Sequence, residues 1–210
     1  MANGIYKITE EFEQKLSEYT GAPYVITVDN ASNALFLALM WENIKGKTIT
    51  IPSRTYPSVP CEIIHAGGKV KFKSVEGNTL TGAYQLEPTN VWDSALRFTS
   101  EMYVPGTHMC ISFTGPYKHF KLSKGGAILT DNHAAYLWFK RARYSGRREC
   151  SYHDDNFDIL GWNFYMPVMT SALGLHMFPS LYEGEIPKQN KDLTHPYPDL
   201  SKFPIYTKER

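Results

Sequence analysis

Residues 24–39, YVITVDNASNALFLAL, carry the reading that decides the fold. Tyr24 to Val28 is a short β-branched run of the kind that forms a buried strand. Asp29-Asn30-Ala31-Ser32-Asn33 follows as a turn of small polar residues, and Ala34-Leu35-Phe36-Leu37-Ala38-Leu39 then turns helical. Upstream, Thr9 predicts the start of a capped helix, with Glu10 and Glu11 at its positive end and Phe12, Leu16 and Tyr19 on one face. Gly21 and Pro23 end it. Downstream, Thr48 to Ile51 reads as a second strand and leads into Pro52-Ser53-Arg54-Thr55-Tyr56. A helix through Ile63 and Ile64 stops at Gly67-Gly68, and Val70 to Val75 is the next strand. Strand signals recur at Asn90-Val91-Trp92, Met109 to Phe113 and Ala127 to Thr130, and helices are expected at His133 to Tyr144 and Met169 to Met177. Short apolar strands alternating with helices predict an α/β three-layer sandwich on a mainly parallel sheet.

Composition sets the bounds. The chain has 210 residues, 42% of them hydrophobic and 20% charged, which excludes a disordered segment and suits one globular domain. Lysine and arginine number 22 against 21 acidic residues, so no global field draws the chain to nucleic acid or an anionic membrane. No apolar run reaches the ~18 residues of a membrane helix, and MANGIYKITEEF lacks a signal-peptide core. Cys61, Cys110 and Cys150 are odd in number and far apart, which reads as reduced thiols in a cytoplasmic setting. From Pro179 the chain changes to a proline-rich polar stretch, so residues 1–178 read as the domain and 179–210 as an extended arm.

In open α/β sheets ligands bind beyond the C-terminal strand ends, so the polar residues there are the candidates. Ser32 and Asn33 open a helix whose N-terminus suits a phosphate. Asp93 leaves the strand Asn90-Val91-Trp92, and Ser112 and Lys118 follow the strand at Met109. Taken singly, each has an ordinary reading: any βα turn, a helix cap, a solvated lysine. Together with the aromatic Tyr56 they form the set that a pyridoxal-phosphate site requires: a lysine, an acid for the pyridinium nitrogen and a phosphate anchor.

The motifs around these residues resemble, in chain order, those of the DegT/DnrJ/EryC1/StrS sugar aminotransferases. Phe12-Glu13 with Tyr19-Thr20-Gly21 resembles the family's opening helix, and Asn30-Ala31-Ser32-Asn33-Ala34-Leu35 its SGTxAL phosphate turn. Pro52-Ser53-Arg54-Thr55-Tyr56 resembles PSxT plus an aromatic, and residues 65–72 (HAGGKVKF) resemble the xxGAxPVF segment. Trp92-Asp93-Ser94-Ala95 resembles EDAA, and Ser112-Phe113 through Lys118 to Gly125-Gly126-Ala127-Ile128 resembles SFxxxK…GEGGAI. Arg143-Tyr144-Ser145-Gly146 resembles the family's R..G, Leu160 to Phe164 its lGyNyR, and Ala172-Leu173-Gly174 its AAxG helix.

The resemblance implies the large domain of the aspartate-aminotransferase (type I) fold in a minimal version, pyridoxal 5'-phosphate as cofactor, and transfer of an amino group from glutamate or glutamine to a keto-sugar, nucleotide-linked in the family pattern. By that likeness Lys118 forms the internal aldimine and shuttles the proton, while Asp93 pairs with the pyridinium nitrogen. Tyr56 stacks on one ring face and Ala95 lies against the other. Ser32, Asn33 and Ser112 hold the phosphate, and Asn163 completes the site of a homodimer partner. Lys118 stands seven residues before Gly125, as in the family, whereas Lys121 and Lys124 are too close to the glycines. His119 bears on this register, because relatives with histidine at the lysine position are dehydratases.

The pattern also departs from the family. Asn30 and Ala31 replace Ser-Gly, Leu96 stands where a polar residue bonds the ring hydroxyl, Lys124 replaces an acid and Tyr165 an arginine. The interval from Lys73 to Asp93 lacks the length of a strand and a helix, and the chain holds no counterpart of the relatives' small C-terminal domain. Two alternatives stand beside the transaminase: a non-catalytic binding or assembly protein of the same fold, and a related sugar dehydratase or epimerase. Cys150, His153, Asp154 and Asp155 lack a second ligand pair, so no metal is expected. The basic residues Lys140, Arg141, Arg143, Arg147 and Arg148 read as a solvated face near a helix end.

Overall fold

The computed structural model describes residues 4–74, 82–115, 118, 120–181 and 197–208. The opening stretch folds as read. β1 (Tyr24–Val28) runs into α2 (Ala31–Trp41), with α1 (Gly4–Thr20) before them. Asn30 caps α2: its side-chain oxygen accepts the Asn33 N–H at 2.8 Å. Ala34 to Leu39 are all buried, as expected of a helix apolar on every side. α1 starts at Gly4 and not at Thr9. Thr9 lies inside the helix, facing Ser171 at 3.4 Å, so its hydroxyl serves helix packing and not a cap.

β2 (Thr48–Pro52), α3 (Ser58–His65) and β3 (Lys69–Lys73) form a parallel βαβ unit. β4 (Tyr84–Gln85), β5 (Val91–Asp93), β6 (His108–Ser112) and β7 (Gly126–Thr130) complete the strands, and α4 (His133–Ala142) and α5 (Val168–Met177) follow. The larger sheet has the order β1-β7-β6-β5-β4, and β2-β3 is a separate pair. A bridge joins them: Thr50 N–H donates to Glu87 O at 2.8 Å, and Glu87 N–H to Thr50 O at 3.1 Å. β1, β2, β3, β5 and β6 run one way, and β4 and β7 run against them. The sheet is thus mainly parallel in strand direction but mixed in its pairings. β4 escaped the sequence because two residues carry no period. It forms a hairpin with β5 in the interval where the family pattern has a further strand and helix.

Alternation along the strands feeds two cores. Ile26, Val28, Cys110 and Ile128 face α2, α3 and α4; Val25, Met109, Ile111, Ala127 and Leu129 face α1 and α5. The second core centres on Phe12, Phe98, Phe113, Phe120 and Phe178, whose ring centroids lie 5.6–6.4 Å apart. Each such ring contributes about 1.5–3 kcal/mol by burial. Gly174 exists for this packing: a Cβ there would lie 2.6 Å from the Phe12 ring.

Arg143 corrects the reading of the basic cluster. It is 5% exposed, and its guanidinium donates to Glu13 Oε1 and, at 2.7 Å, to Thr27 O. Glu13 Oε1 also accepts the Thr27 N–H at 2.8 Å, so one buried ion pair ties α1, β1 and the end of α4 together. The other arginines are also engaged: Arg141 with Asp158, Arg147 over the rings of Tyr144 and Tyr152, and Arg148 with Asp155. Among the described residues no group of His, Cys, Asp and Glu could hold a metal ion, and no helix is long and apolar enough to cross a membrane.

Candidate active site

The strand directions place Val28, Pro52, Asp93 and Ser112 at one edge of the sheet, the C-terminal edge. Asp93 ends β5 and is 6% exposed. Its Oδ1 accepts the Ala95 N–H and its Oδ2 accepts the Tyr84 hydroxyl, each at 2.9 Å. Tyr84 Oη lies 2.5 Å from Thr55 Oγ1. Since the Tyr84 proton is committed to Asp93, Thr55 is the donor in that pair. A chain of hydrogen bonds therefore runs from the loop after β2, through the β4 hairpin, to the acid on β5.

Burial raises the Asp93 carboxyl above the usual range; the Ala95 N–H, the Tyr84 hydroxyl and the Lys118 charge pull the other way. Tyr84 is pushed well above an ordinary phenol, first by burial and then by the Asp93 charge. The Lys118 ammonium donates to the Ala95 carbonyl. Burial lowers its pKa to about 8, against the opposing pull of Asp93. The site thus joins a partly neutral amine to a buried acid through Ala95, whose N–H serves one group and whose carbonyl serves the other.

Above the acid opens a small cleft. Thr55 and Tyr56 form one side, Asp93, Ala95 and Leu96 the floor, and Tyr84, Gly82 and Tyr197 the remainder. Tyr56 is exposed at the rim and meets Tyr197 edge to face, 6.2 Å between centroids.

The proposed anion turn lies along the same sheet edge, outside the residues lining this cleft. Gly126 pairs with Val28 on one side and Ser112 on the other, and a Cβ on it would lie 2.7 Å from Ala31 N. That glycine lets the N-terminus of α2 sit directly on the strand ends, beside Ser112. Ser32 Oγ donates to Ser58 Oγ at 2.7 Å, linking α2 to the start of α3. Asn33 is turned inward on its own loop, its Nδ2 donating to Asp29 Oδ1 at 2.6 Å. Ser112 Oγ accepts the Thr114 N–H at 3.3 Å.

The structure therefore brings Tyr56, Asp93, Ala95 and Lys118 together, sets Ser32, Asn33 and Ser112 along the same edge, and leaves Asn163 elsewhere. Asn163 bridges Tyr144 on the segment after α4. Lys124 lies at Asp29, 3.5 Å away, and not at Asp93; His119 lies outside the described residues. Sequence reasoning missed Thr55, Tyr84 and Tyr197. Thr55 was visible beside Tyr56 in its motif, whereas Tyr84 and Tyr197 sit in stretches with no periodic or motif signal.

The sequence pattern of the DegT/DnrJ/EryC1/StrS aminotransferase family matches residues 3–91. UDP-4-amino-4,6-dideoxy-N-acetyl-beta-L-altrosamine transaminase of Campylobacter jejuni is 22% identical over 83% of this chain and 57% of its own length. The spore coat polysaccharide biosynthesis protein SpsC of Bacillus subtilis is 32% identical over 34% of this chain and 18% of its own. The chain thus spans 57% of the C. jejuni relative. Among solved structures, Helicobacter pylori PseC, an aminotransferase involved in the biosynthesis of pseudoaminic acid, superposes with a TM-score of 0.71 at 14% identity, covering 95% of this chain and 79% of that one. The sugar aminotransferase CalS13 of Micromonospora echinospora gives 0.70 at 16% identity, covering 84% and 61%. Residues 3–91 thus match the DegT/DnrJ/EryC1/StrS aminotransferase family, and the chain shares the fold of the solved aminotransferase structures.

Proposed function

We propose that this chain is a pyridoxal-phosphate-dependent aminotransferase that moves an amino group from an amino acid, glutamate or glutamine, to a nucleotide-linked keto-sugar. The observation that carries the reading is the pairing of Lys118 and Asp93 through Ala95 beneath Tyr56. That donor set fits the cofactor: an amine for its aldehyde, a carboxylate for its ring nitrogen, an aromatic rim, and a helix N-terminus with Ser32 and Ser112 for its phosphate. Asn33 and Asn163 join this set by the family pattern. Bound there, the cofactor supplies an electron sink that makes loss of a proton from the adjacent carbon feasible.

The chain's own groups do the rest. Asp93, whose carboxyl burial raises while the Ala95 N–H and the Tyr84 hydroxyl favour its charged form, would hold a proton on the cofactor's ring nitrogen. Lys118, with a lowered pKa, is neutral in a sizeable fraction of molecules near pH 8, so its amine can attack a carbonyl and carry a proton between carbons. Ala95 and Tyr56, which line the cleft, would flank the ring of the bound cofactor. Residues 1–178 act as the cofactor domain and 179–210 as its arm. The exposed apolar side chains Leu160, Tyr165, Met169 and Leu173 near Asn163 support a homodimer in which that loop reaches the partner's site. We place the protein in the cytoplasm, where its three free cysteines stay reduced.

The test is spectroscopic. Purified protein mixed with pyridoxal phosphate is expected to show a visible band that borohydride removes, with the label on Lys118 and absent from Lys118→Ala. Glutamate is expected to convert the band to the amine form. Leu96 on the cleft floor, where the family has a polar residue, favours a second reading as a cofactor-binding protein without turnover. A band that forms but does not respond to glutamate or glutamine selects that reading, and product analysis on a keto-sugar nucleotide separates transfer from dehydration or epimerisation.

A further inference from the structure

Residues 197–206 dock beside the cleft through contacts of several kinds. The Leu200 N–H donates to Ser53 O at 2.8 Å, and Arg54 Nη1 donates to Tyr197 O at 2.8 Å. Ser53 and Arg54 stand in the loop that delivers Thr55 and Tyr56, so the segment is fastened to the site's own loop. Leu200 is 2% exposed, the buried apolar anchor of a stretch whose other large aliphatic and phenyl side chains, Phe203 and Ile205, stay exposed. Asp199 Oδ1 accepts the Ser201 N–H at 3.1 Å and fixes the 3₁₀ turn Leu200–Lys202 around that anchor. Tyr206 closes the far end against Phe72 of β3, edge to face at 6.3 Å. Between these fastenings Tyr197 projects over Tyr56 and into the cleft that holds Asp93.

We infer that residues 197–206 are a working wall of the site, supplied in cis, and that Tyr197, in edge-to-face contact with Tyr56, closes the rim over a ring-sized ligand in the cleft. The inference rests on the cofactor reading for the identity of that ligand and on geometry alone for the wall. Two aromatic rings in contact over a buried acid form a rim that shields a flat, polar-edged ring held in the cleft below them. The β2 loop contributes one ring of this rim and the C-terminal segment the other. Undocking the segment therefore opens the cleft without touching Lys118 or Asp93.

Two variants test this, Tyr197→Ala and Leu200→Asp, with Leu200→Met as the conservative control and a urea unfolding curve to verify folding. In cofactor-free protein, the rate at which tetranitromethane nitrates Tyr84, read by peptide mass spectrometry, is expected to rise about 10-fold in both variants and to stay at the wild-type level in Leu200→Met. In protein loaded with pyridoxal phosphate, release into a trap of excess apo-enzyme is expected to quicken about 10-fold. An unchanged Tyr84 nitration rate in both folded variants overturns the wall, and an unchanged release rate overturns the role of Tyr197 over the ring. A wild-type chain that takes up no pyridoxal phosphate removes the cofactor reading, while the labelling experiment still decides the wall.

Discussion

Lys118 offers a measurement that does not depend on turnover. Burial holds its amine at a pKa of about 8 even though Asp93 stands nearby to raise it. An ordinary lysine titrates near 10.4, so at about pH 7.5 roughly one such amine in 800 is neutral, against roughly a quarter of Lys118 amines. The nucleophilic form is therefore enriched about 200-fold. Competitive labelling with trace acetic anhydride across about pH 6–11, followed by fragment-level mass spectrometry, separates Lys118 from Lys121 and Lys124 and yields a midpoint that does not depend on access. The expected midpoint for Lys118 is near 8. Since the Asp93 charge raises it, Asp93→Asn is expected to move it further down. A midpoint above about 10, or an upward move in Asp93→Asn, refutes the argument that burial governs this amine.

Three further outcomes follow from contacts away from the lysine. Tyr84→Phe removes the donor on Asp93 Oδ2 and is expected to cost about 1–3 kcal/mol of stability and to weaken pyridoxal-phosphate binding, as read by denaturation and by titration of the visible band. Removing one member of the buried pair, as in Arg143→Met or Glu13→Gln, is expected to cost about 3–5 kcal/mol, and replacing both with apolar residues less than the sum; chemical denaturation measures both. His108 is 4% exposed, and burial depresses its pKa from 6.5 to about 4, with Asp131 opposing. A depressed folded pKa gives stability that is present above about 6.5 and lost as the pH falls through about 4, so lowering the pH from about 7.5 to 5 should cost about 2 kcal/mol through this group. His108→Gln should flatten that part of the urea-midpoint profile, and an unchanged slope would falsify the assignment.

Several motif residues owe their place to packing and not to chemistry. Glu13 and Arg143 belong to separate motifs in the sequence, yet they are two halves of one buried ion pair. Gly146 has φ +80°, and a Cβ at Gly161 would lie 2.7 Å from Ala142 O, so this glycine pair lets the Trp162 and Ser145 backbones bond across, as in Ser145 N–H to Trp162 O at 2.8 Å. A motif marks that a residue type is required without saying for what. The same holds for the basic cluster, whose charge pattern suggested solvent while Arg143 went inside to meet Glu13.

The sequence by itself determined the alternation of strands and helices and the strand-end positions of Asp93 and Ser112, because hydrophobic period acts over a few residues. Its motif spacing also singled out Lys118 from its neighbours. Only the tertiary structure decided what surrounds them. The Thr55–Tyr84–Asp93 chain joins residues 29 and 9 positions apart, and the fastening of Tyr197 to Arg54 spans 143. Such contacts depend on which strand ends share an edge and where a polar arm finds an apolar anchor, and no local pattern of residues encodes either.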